Sequence, residues 1–254
     1  MKPPATAGQI ARLIKQLEDR NHDVRESAAI ALVDMGEVVV QPILPTTRHD
    51  NIHARQYAIW ILGQIGNSHA TEVLIGCLSD HHIMVVEEAV TALGNLRDKR
   101  AVQPLVETLQ TAPHSIVHRI INALGQLQDP QVTNLLISYL DVHDSIVRSS
   151  VVQALGLIGD KRAIPALLDA MKDIDDWTRG KAAEALGLMR TPKAYDSLIA
   201  AMRSDYHWSR YYAAWALGEL GDTRAIETLT TAANTNDAFF KRRCIEALQK
   251  LKSR

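Results

Sequence analysis

Phenylalanine is nearly missing from this chain. Only Phe239 and Phe240 occur among 254 residues, and aromatics make up 5% of the whole. A broad compact core normally uses more large rings. The apolar content, 46%, is carried mainly by Leu, Ala, Ile and Val, which suits thin helical layers. An excess of one charge sign is missing too. The formal net charge of −1 supplies no general field toward nucleic acid or an anionic membrane. Apolar runs are short and interrupted by charge, so no segment reads as a transmembrane helix. The opening MKPPATAGQIARLIKQLEDR lacks the apolar stretch and small-residue cleavage site of a signal peptide. Cys77 and Cys244 are the only cysteines. That number excludes a disulfide framework and fits reduced, buried thiols in a cytoplasmic protein.

Catalytic vocabulary is equally sparse. No Cys-x-x-Cys pair, His-Glu dipeptide or Gly-rich phosphate loop occurs, and the neighbours His81 and His82 fall in a turn. The acidic set Asp173, Asp175 and Asp176 reads as solvated turn residues. No catalytic residue and no metal ligand is assigned, and an enzyme is not the first reading.

What is present is a repeat. Leu32, Leu62, Leu93, Leu124, Leu155, Leu186, Leu217 and Leu248 are separated by one step of 30 residues and six of 31. Glycine follows six of them. Nineteen residues upstream runs a second ladder: Leu13, Ile43, Leu74, Leu105, Leu136, Leu167, Leu198 and Leu229. Two apolar stripes per period, separated by polar turns, define a helical hairpin with helix A carrying the upstream ladder and helix B the leucine mark. Neither helix buries its stripe alone, and stacked hairpins bury both. The sequence therefore predicts an all-α solenoid of eight HEAT-type hairpins forming a single domain over 1–254. The unit bounds are about 8–36, 37–66, 67–98, 99–129, 130–160, 161–191, 192–222 and 223–254. Helices packed roughly 8–10 Å apart would give a curved rod of about 70–80 Å. Pro42, Pro104 and Pro165 predict a bend within helix A.

Ladders that recur in every unit are structural. Arg25, Arg55, Arg148, Arg179 and Arg210, ending in Lys241, stand seven before the mark. At the start of helix B they are placed to bond the turns. Function is sought where units differ on the outward face of helix B. Two before the mark the sequence reads Ile30, Trp60, Thr91, Asn122, Gln153, Glu184, Trp215, Glu246; five before it reads Ser27, Tyr57, Glu88, Arg119, Ser150, Lys181, Tyr212, Arg243. Tyr57 with Trp60, and Tyr212 with Trp215, each place two rings on one helix face. Exposed paired aromatics suit a surface that something covers. A third ladder, nine before the mark, ends Trp177, Trp208, Phe239. These three either seal the turns as core or stack along one edge. Candidate binding residues are thus Tyr57, Trp60, Trp177, Lys181, Trp208, Tyr211, Tyr212, Trp215 and Arg243. Eight of twelve aromatics lie at or beyond Tyr195, which puts the main docking surface in the last three units. Lys181 and Arg243, flanking Tyr212, would favour an acidic group there.

The run Ala154-Leu155-Gly156-Leu157-Ile158-Gly159-Asp160, with Val147-Arg148 before it and Arg162-Ala163-Ile164-Pro165 after it, resembles the HEAT-like repeat of the phycobilisome lyase family. Arg210-Tyr211-Tyr212-Ala213-Ala214-Trp215-Ala216-Leu217-Gly218 is similar to an Arg-Tyr-Tyr-Ala-Ala-Trp-Trp-Leu-Gly segment of E-type bilin lyase subunits. Ala216 stands where those have a second Trp, and the segment lies in the seventh unit rather than near the N-terminus. The resemblance implies a protein-binding scaffold, monomeric or in a heteromeric complex, with phycobiliproteins or iron–sulfur assembly proteins as partners in a concave groove. Its alternative is a bilin lyase or lyase subunit, in which aromatics would stack on a tetrapyrrole and Arg or Lys would pair its propionates; otherwise no cofactor is implied. A HEAT-like DNA glycosylase would need a basic groove. This one mixes Asp34, Glu88, Glu184 and Glu246 with Arg119 and Lys181, so neither nucleic acid nor membrane is expected as a partner.

Overall fold

The computed structural model describes residues 6–253, which leaves the first five residues of the leader reading outside it. No strand occurs among the described residues. Two compact units, Met1–Leu127 and Gln128–Arg254, make up the chain.

In the first unit α1 (Ala7–Gln16) packs on α2 (His22–Met35), α5 (Thr71–Cys77) on α6 (Ile83–Leu96), and α7 (Val102–Thr111) on α8 (His114–Leu127). Between them α4 (Ile52–Ile65) packs on a broken partner, the short α3 (Val40–Ile43) with 3-10 turns on either side. The second unit pairs α9 (Thr133–Ser138) with α10 (Ser145–Ile158), α11 (Ile164–Ala170) with α12 (Asp176–Leu188), α13 (Tyr195–Ala201) with α14 (His207–Leu220), and α15 (Ile226–Ala232) with α16 (Ala238–Lys252). Successive long helices of a unit lie against each other, as α4 on α6 and α12 on α14.

The leucine ladders explain this packing. Leu32, Leu62, Leu93, Leu124, Leu155, Leu186 and Leu217 are fully buried, and so are Ile43, Leu74, Leu105, Leu136, Leu167, Leu198 and Leu229. The outermost rungs, Leu13 and Leu248, are only half-buried because a hairpin covers one side alone. Glycine after the mark permits close helix contact. A Cβ at Gly63 would stand 2.8 Å from the Ala92 Cβ, and one at Gly156 2.6 Å from the Ala185 Cβ.

Five long helices, α2, α4, α10, α12 and α16, start on Asn or Asp caps. Asn21 Oδ1 accepts from the Asp23 N–H at 2.9 Å, Asp144 from Ile146 at 2.7 Å, and Asp237 from Phe240 at 3.0 Å. Several end on a left-handed glycine, Gly66, Gly159 or Gly221; Arg97, Gln128 and Arg190 take positive φ near other helix ends. The prolines sit at the start of helix A rather than in its interior. Helix A opens with a 3-10 turn, and Pro42, Pro104 and Pro165 fall in the first α turn after it, where a missing N–H leaves no bond unmade.

The run His22–Arg48 is long and apolar enough by length and composition to cross a membrane. It is not one straight helix. Gly36, at φ 69°, ends α2, and Ala28, Leu32, Val39 and Ile43 from both sides of the break are buried.

Candidate functional site

The arginine ladder is a set of turn clamps. Arg148 Nη1 donates to the carbonyls of Val142 (2.9 Å) and His143 (2.8 Å), six and five residues back. Its other nitrogens reach Asp173 in the next hairpin turn at 2.7 and 2.8 Å. Arg55 repeats this with His49, Asp50 and Asp80, and Arg25 with Asp19 and Arg20. The Asp173, Asp175 and Asp176 set is therefore not merely solvated. Asp173 pairs with Arg148, Asp175 caps α12 by accepting from Thr178 N–H at 2.7 Å, and Asp176 caps α14 from the preceding long helix. Asp176 accepts from the Trp208 N–H at 2.9 Å, the Ser209 N–H at 3.1 Å and the Ser209 hydroxyl at 2.5 Å. Burial raises its carboxyl pKa, but these bonds and Arg179 outweigh burial and hold it below its ordinary value.

That cap fixes Trp208, and Gly180 brings α14 close to α12. A Cβ at 180 would lie 2.9 Å from the Tyr212 ring and 3.1 Å from the Trp208 carbonyl. The result is a cluster of rings. Trp177 meets Trp208 edge-on at 4.9 Å and Tyr212 at 6.0 Å, while Trp208 also lies 6.2 Å from Tyr211 and 6.1 Å from Tyr212. His207 stacks on Tyr211 at 6.2 Å. Trp177 and Trp208 remain 38% and 39% exposed, so they are edge residues rather than core. The third rung, Phe239, is 76% exposed and outside the cluster. Trp215, expected to pair with Tyr212, makes none of these ring contacts; its ring lies over Gly187, 3.0 Å from the place a Cβ would take.

The flanking cations hold rings. Lys181 Nζ lies 4.8 Å from the Trp177 ring centre and 5.2 Å from that of Tyr212, and pairs with Glu184 at 2.8 Å. The Arg243 guanidinium lies 4.5 Å over Tyr211, donates to its hydroxyl, and pairs with Glu246 at 2.9 Å. Each cation already has a carboxylate beside it, so an acidic group on a partner would have to compete with Glu184 or Glu246. Sequence reasoning missed His207, Asp176 and Gly180. Only the four-residue spacing of His207 and Tyr211 hinted at a stack.

In the first unit the outward ladders of α2, α4 and α6 meet around a groove of about 490 Å³. Tyr57 and Trp60 form one wall; Ile30 and Met84, 50% and 53% exposed, stand beside them. Glu26 and Glu88 also line the groove, and Tyr57 Oη lies 3.4 Å from His22 Nε2. Burial pushes the Glu88 carboxyl above its ordinary value, with Arg119 opposing and Glu87 adding to the push. Both thiols are buried. Burial raises the Cys77 thiol, and Cys244 to about 11, which disfavours the thiolate at both. One metal-capable group occurs among the described residues: His22, Asp23 and Glu26, ligand atoms within 4.8 Å and all exposed. The sequence reading had no place for it, and its surface setting gives no orienting second shell.

Stacked hairpins with a buried leucine ladder and an outward face of varied side chains define an α-solenoid. The HEAT repeats family model matches residues 40–122, 117–187, 143–209 and 196–254. The chain belongs to the HEAT-repeat family. No curated protein matches it by sequence. Among solved structures, YibA of Escherichia coli is similar at 19% identity, covering 100% of both chains, with a TM-score of 0.63. The complex of CpcE and CpcF of phycocyanin lyase from Nostoc sp. PCC7120 is similar at 18% identity over 99% of this chain and 97% of that one, TM-score 0.57. Importin beta matches at 16% identity and TM-score 0.66, over 96% of this chain but 41% of its own. Identities this low show the shared fold.

Proposed function

We propose that the protein is a non-catalytic binding scaffold that takes a protein partner on the outward face of its long helices. The observation that carries this is the surface ring cluster of exposed Trp177 and Trp208 with half-buried Tyr211 and Tyr212, packed around Gly180 and flanked by Lys181 and Arg243. Large rigid rings give contact area with few rotors to freeze, and they dominate interfaces. Side chains serving only the fold would be inside it. A photo-cross-linking residue placed at Tyr57 or Tyr212 tests the reading, with Gln153 as an exposed control on the same helix face. We expect discrete protein adducts at the two aromatic positions and not at Gln153. Adding Trp208→Ala should weaken the Tyr212 adduct about tenfold or more, with helicity unchanged. Equal labelling at all three positions would contradict the scaffold.

A second reading has one observation in its favour. Lys181 and Arg243 flank the ring cluster, as two cations would flank a flat conjugated ligand with two carboxylates. Under it the protein is a bilin lyase or lyase subunit, a role consistent with its similarity to the CpcE–CpcF complex. Co-expression with a phycobiliprotein α-subunit and bilin synthesis enzymes separates the readings. Covalent colour on the α-subunit that depends on this chain supports the lyase, and its absence leaves the scaffold.

A further inference from the structure

The groove of the first unit differs in chemistry from the ring cluster. It is built from three ladders across three successive long helices: Ile30 and Trp60 two before the mark, Tyr57 and Glu88 five before, His53 and Met84 nine before. Its size falls within the range of about 300–1,000 Å³ typical of sites that enclose a ligand group. Glu88 is half-buried and has neither a hydrogen-bond donor nor an ion pair among the described residues. Glu26 has the exposed His22 at 3.9 Å and Asp23 within 4.8 Å. The one cation in the lining, Arg25, is mostly buried, and its Nη1 is held by the carbonyls of Asp19 at 2.7 Å and Arg20 at 3.1 Å. Lys181 and Arg243 at the ring cluster each sit beside their own glutamate, whereas here Glu88 faces an aromatic wall without an ion pair; Arg119, paired with Glu87 at 4.0 Å, acts on it only through its field.

We infer that this groove accepts an arginine side chain of a partner protein, flanked in the partner by apolar residues, with Glu88 and Glu26 facing the guanidinium and Tyr57 and Trp60 forming the surface on which it lies. The inference rests on the scaffold reading. Charge complementarity selects a cation, and the half-buried setting selects the least hydrated one. Guanidinium is planar and weakly hydrated, stacks on rings, and bonds a carboxylate through two nitrogens at once. A lysine ammonium would lose more water on reaching Glu88. Ile30 and Met84 point to a chain segment rather than a lone small cation. Two exposed apolar side chains beside the charged floor are covered only when residues next to the arginine settle on them.

The probe is a fluorescein-labelled nine-residue peptide with a central arginine between leucines. Twins carry glutamine or glutamate at the centre. Each is titrated with the full chain and followed by anisotropy. The arginine peptide should bind about tenfold more tightly than the glutamine twin, and the glutamate twin should be weakest. Glu88→Gln, nearly isosteric, should abolish most of that preference while leaving the glutamine twin's affinity unchanged. The preference among twins is measured on the unaltered chain, so it stands even where a variant folds poorly. Equal binding of all three, no binding of any at millimolar concentration, or a preference that survives Glu88→Gln overturns the inference. Adducts at Tyr57 combined with equal twins sink this inference alone. An arginine preference combined with cross-linking no different from Gln153 sinks the general scaffold reading while leaving the groove.

Discussion

Gly180 stands where α12 and α14 come closest, and it shows how one missing Cβ builds a surface. A methyl there meets the Tyr212 ring at 2.9 Å, and a ring can turn aside. It also meets the Trp208 carbonyl at 3.1 Å, and that backbone is anchored by Asp176. Gly180→Ala should therefore cost about 1–3 kcal/mol by overpacking, despite alanine's better helix propensity. It should also spread the ring cluster, visible as a change in near-ultraviolet circular dichroism. Gly76 in α5 is the counterpart. Nothing lies within 4 Å of its Cβ position. Gly76→Ala should be neutral or stabilise by up to about 0.5–1 kcal/mol, measured by the same urea titration. Equal responses at both sites would mean the close approach of α12 and α14 is not tight enough to matter.

A hairpin is held by its leucine ladder and its arginine clamp. Leu136 and Leu167 are fully buried, and truncation to alanine should cost about 2–5 kcal/mol each. Leu13→Ala, at a half-buried end rung, should cost visibly less. Arg148, with two carbonyls of its own turn and Asp173 of the next, should cost about 2–3 kcal/mol when cut to alanine, since Asp173 is left partly buried without its partner. Lys241, the exposed last rung, should change stability by less than about 0.5 kcal/mol. A flat response along either ladder would break the register. Those ladders were legible in the sequence because burial recurs with a fixed period and needs no knowledge of neighbours. The bonds of Arg148 were half legible. Its place at the helix start pointed to a turn, but the two carbonyls it reaches depend on how the turn closes. The position of the prolines was half legible, because the 3-10 turns before α3, α7 and α11 place them in the first α turn rather than in the helix interior. The ring cluster was half legible. Trp177 and Trp208 share a ladder, but their contact and the inclusion of Tyr211 depend on the spacing between helices that Gly180 sets. The groove around Trp60 was visible only residue by residue, because its walls come from three helices.

Across the chain a carboxylate staple repeats, and it makes stability depend on acid. Asp98 accepts from the Thr71 hydroxyl at 2.9 Å, and its partner Arg100 donates to the Ser68 carbonyl at 2.9 Å. In the second unit Asp160 accepts from Thr133 at 3.1 Å, while Arg162 donates to the Pro130 carbonyl at 2.6 Å. Each staple ties the start of one hairpin to the start of the one before. In a repeat array such neighbour contacts carry much of the stability. Hydrogen bonds from Arg100 hold the Asp98 carboxyl down at about 2, against an ordinary 3.8, and those from Arg162 hold Asp160 down at about 2. A folded-state pKa below the unfolded one stabilises the fold wherever the unfolded carboxyl is ionised, above about pH 4. The contribution disappears as pH falls from there to about 2, because unfolding then takes up protons. The urea midpoint should hold level from pH 7 to about 4.5 and drop between pH 4 and 2. A doubly substituted chain, Asp98→Asn with Asp160→Asn, should start lower at pH 7 and fall less steeply in acid. Asn keeps the cap oxygen, so the lost slope reports the charge alone. A midpoint that rises on acidification, or a doubly substituted chain with the full acid slope, would show that these two carboxylates do not link the repeats to pH.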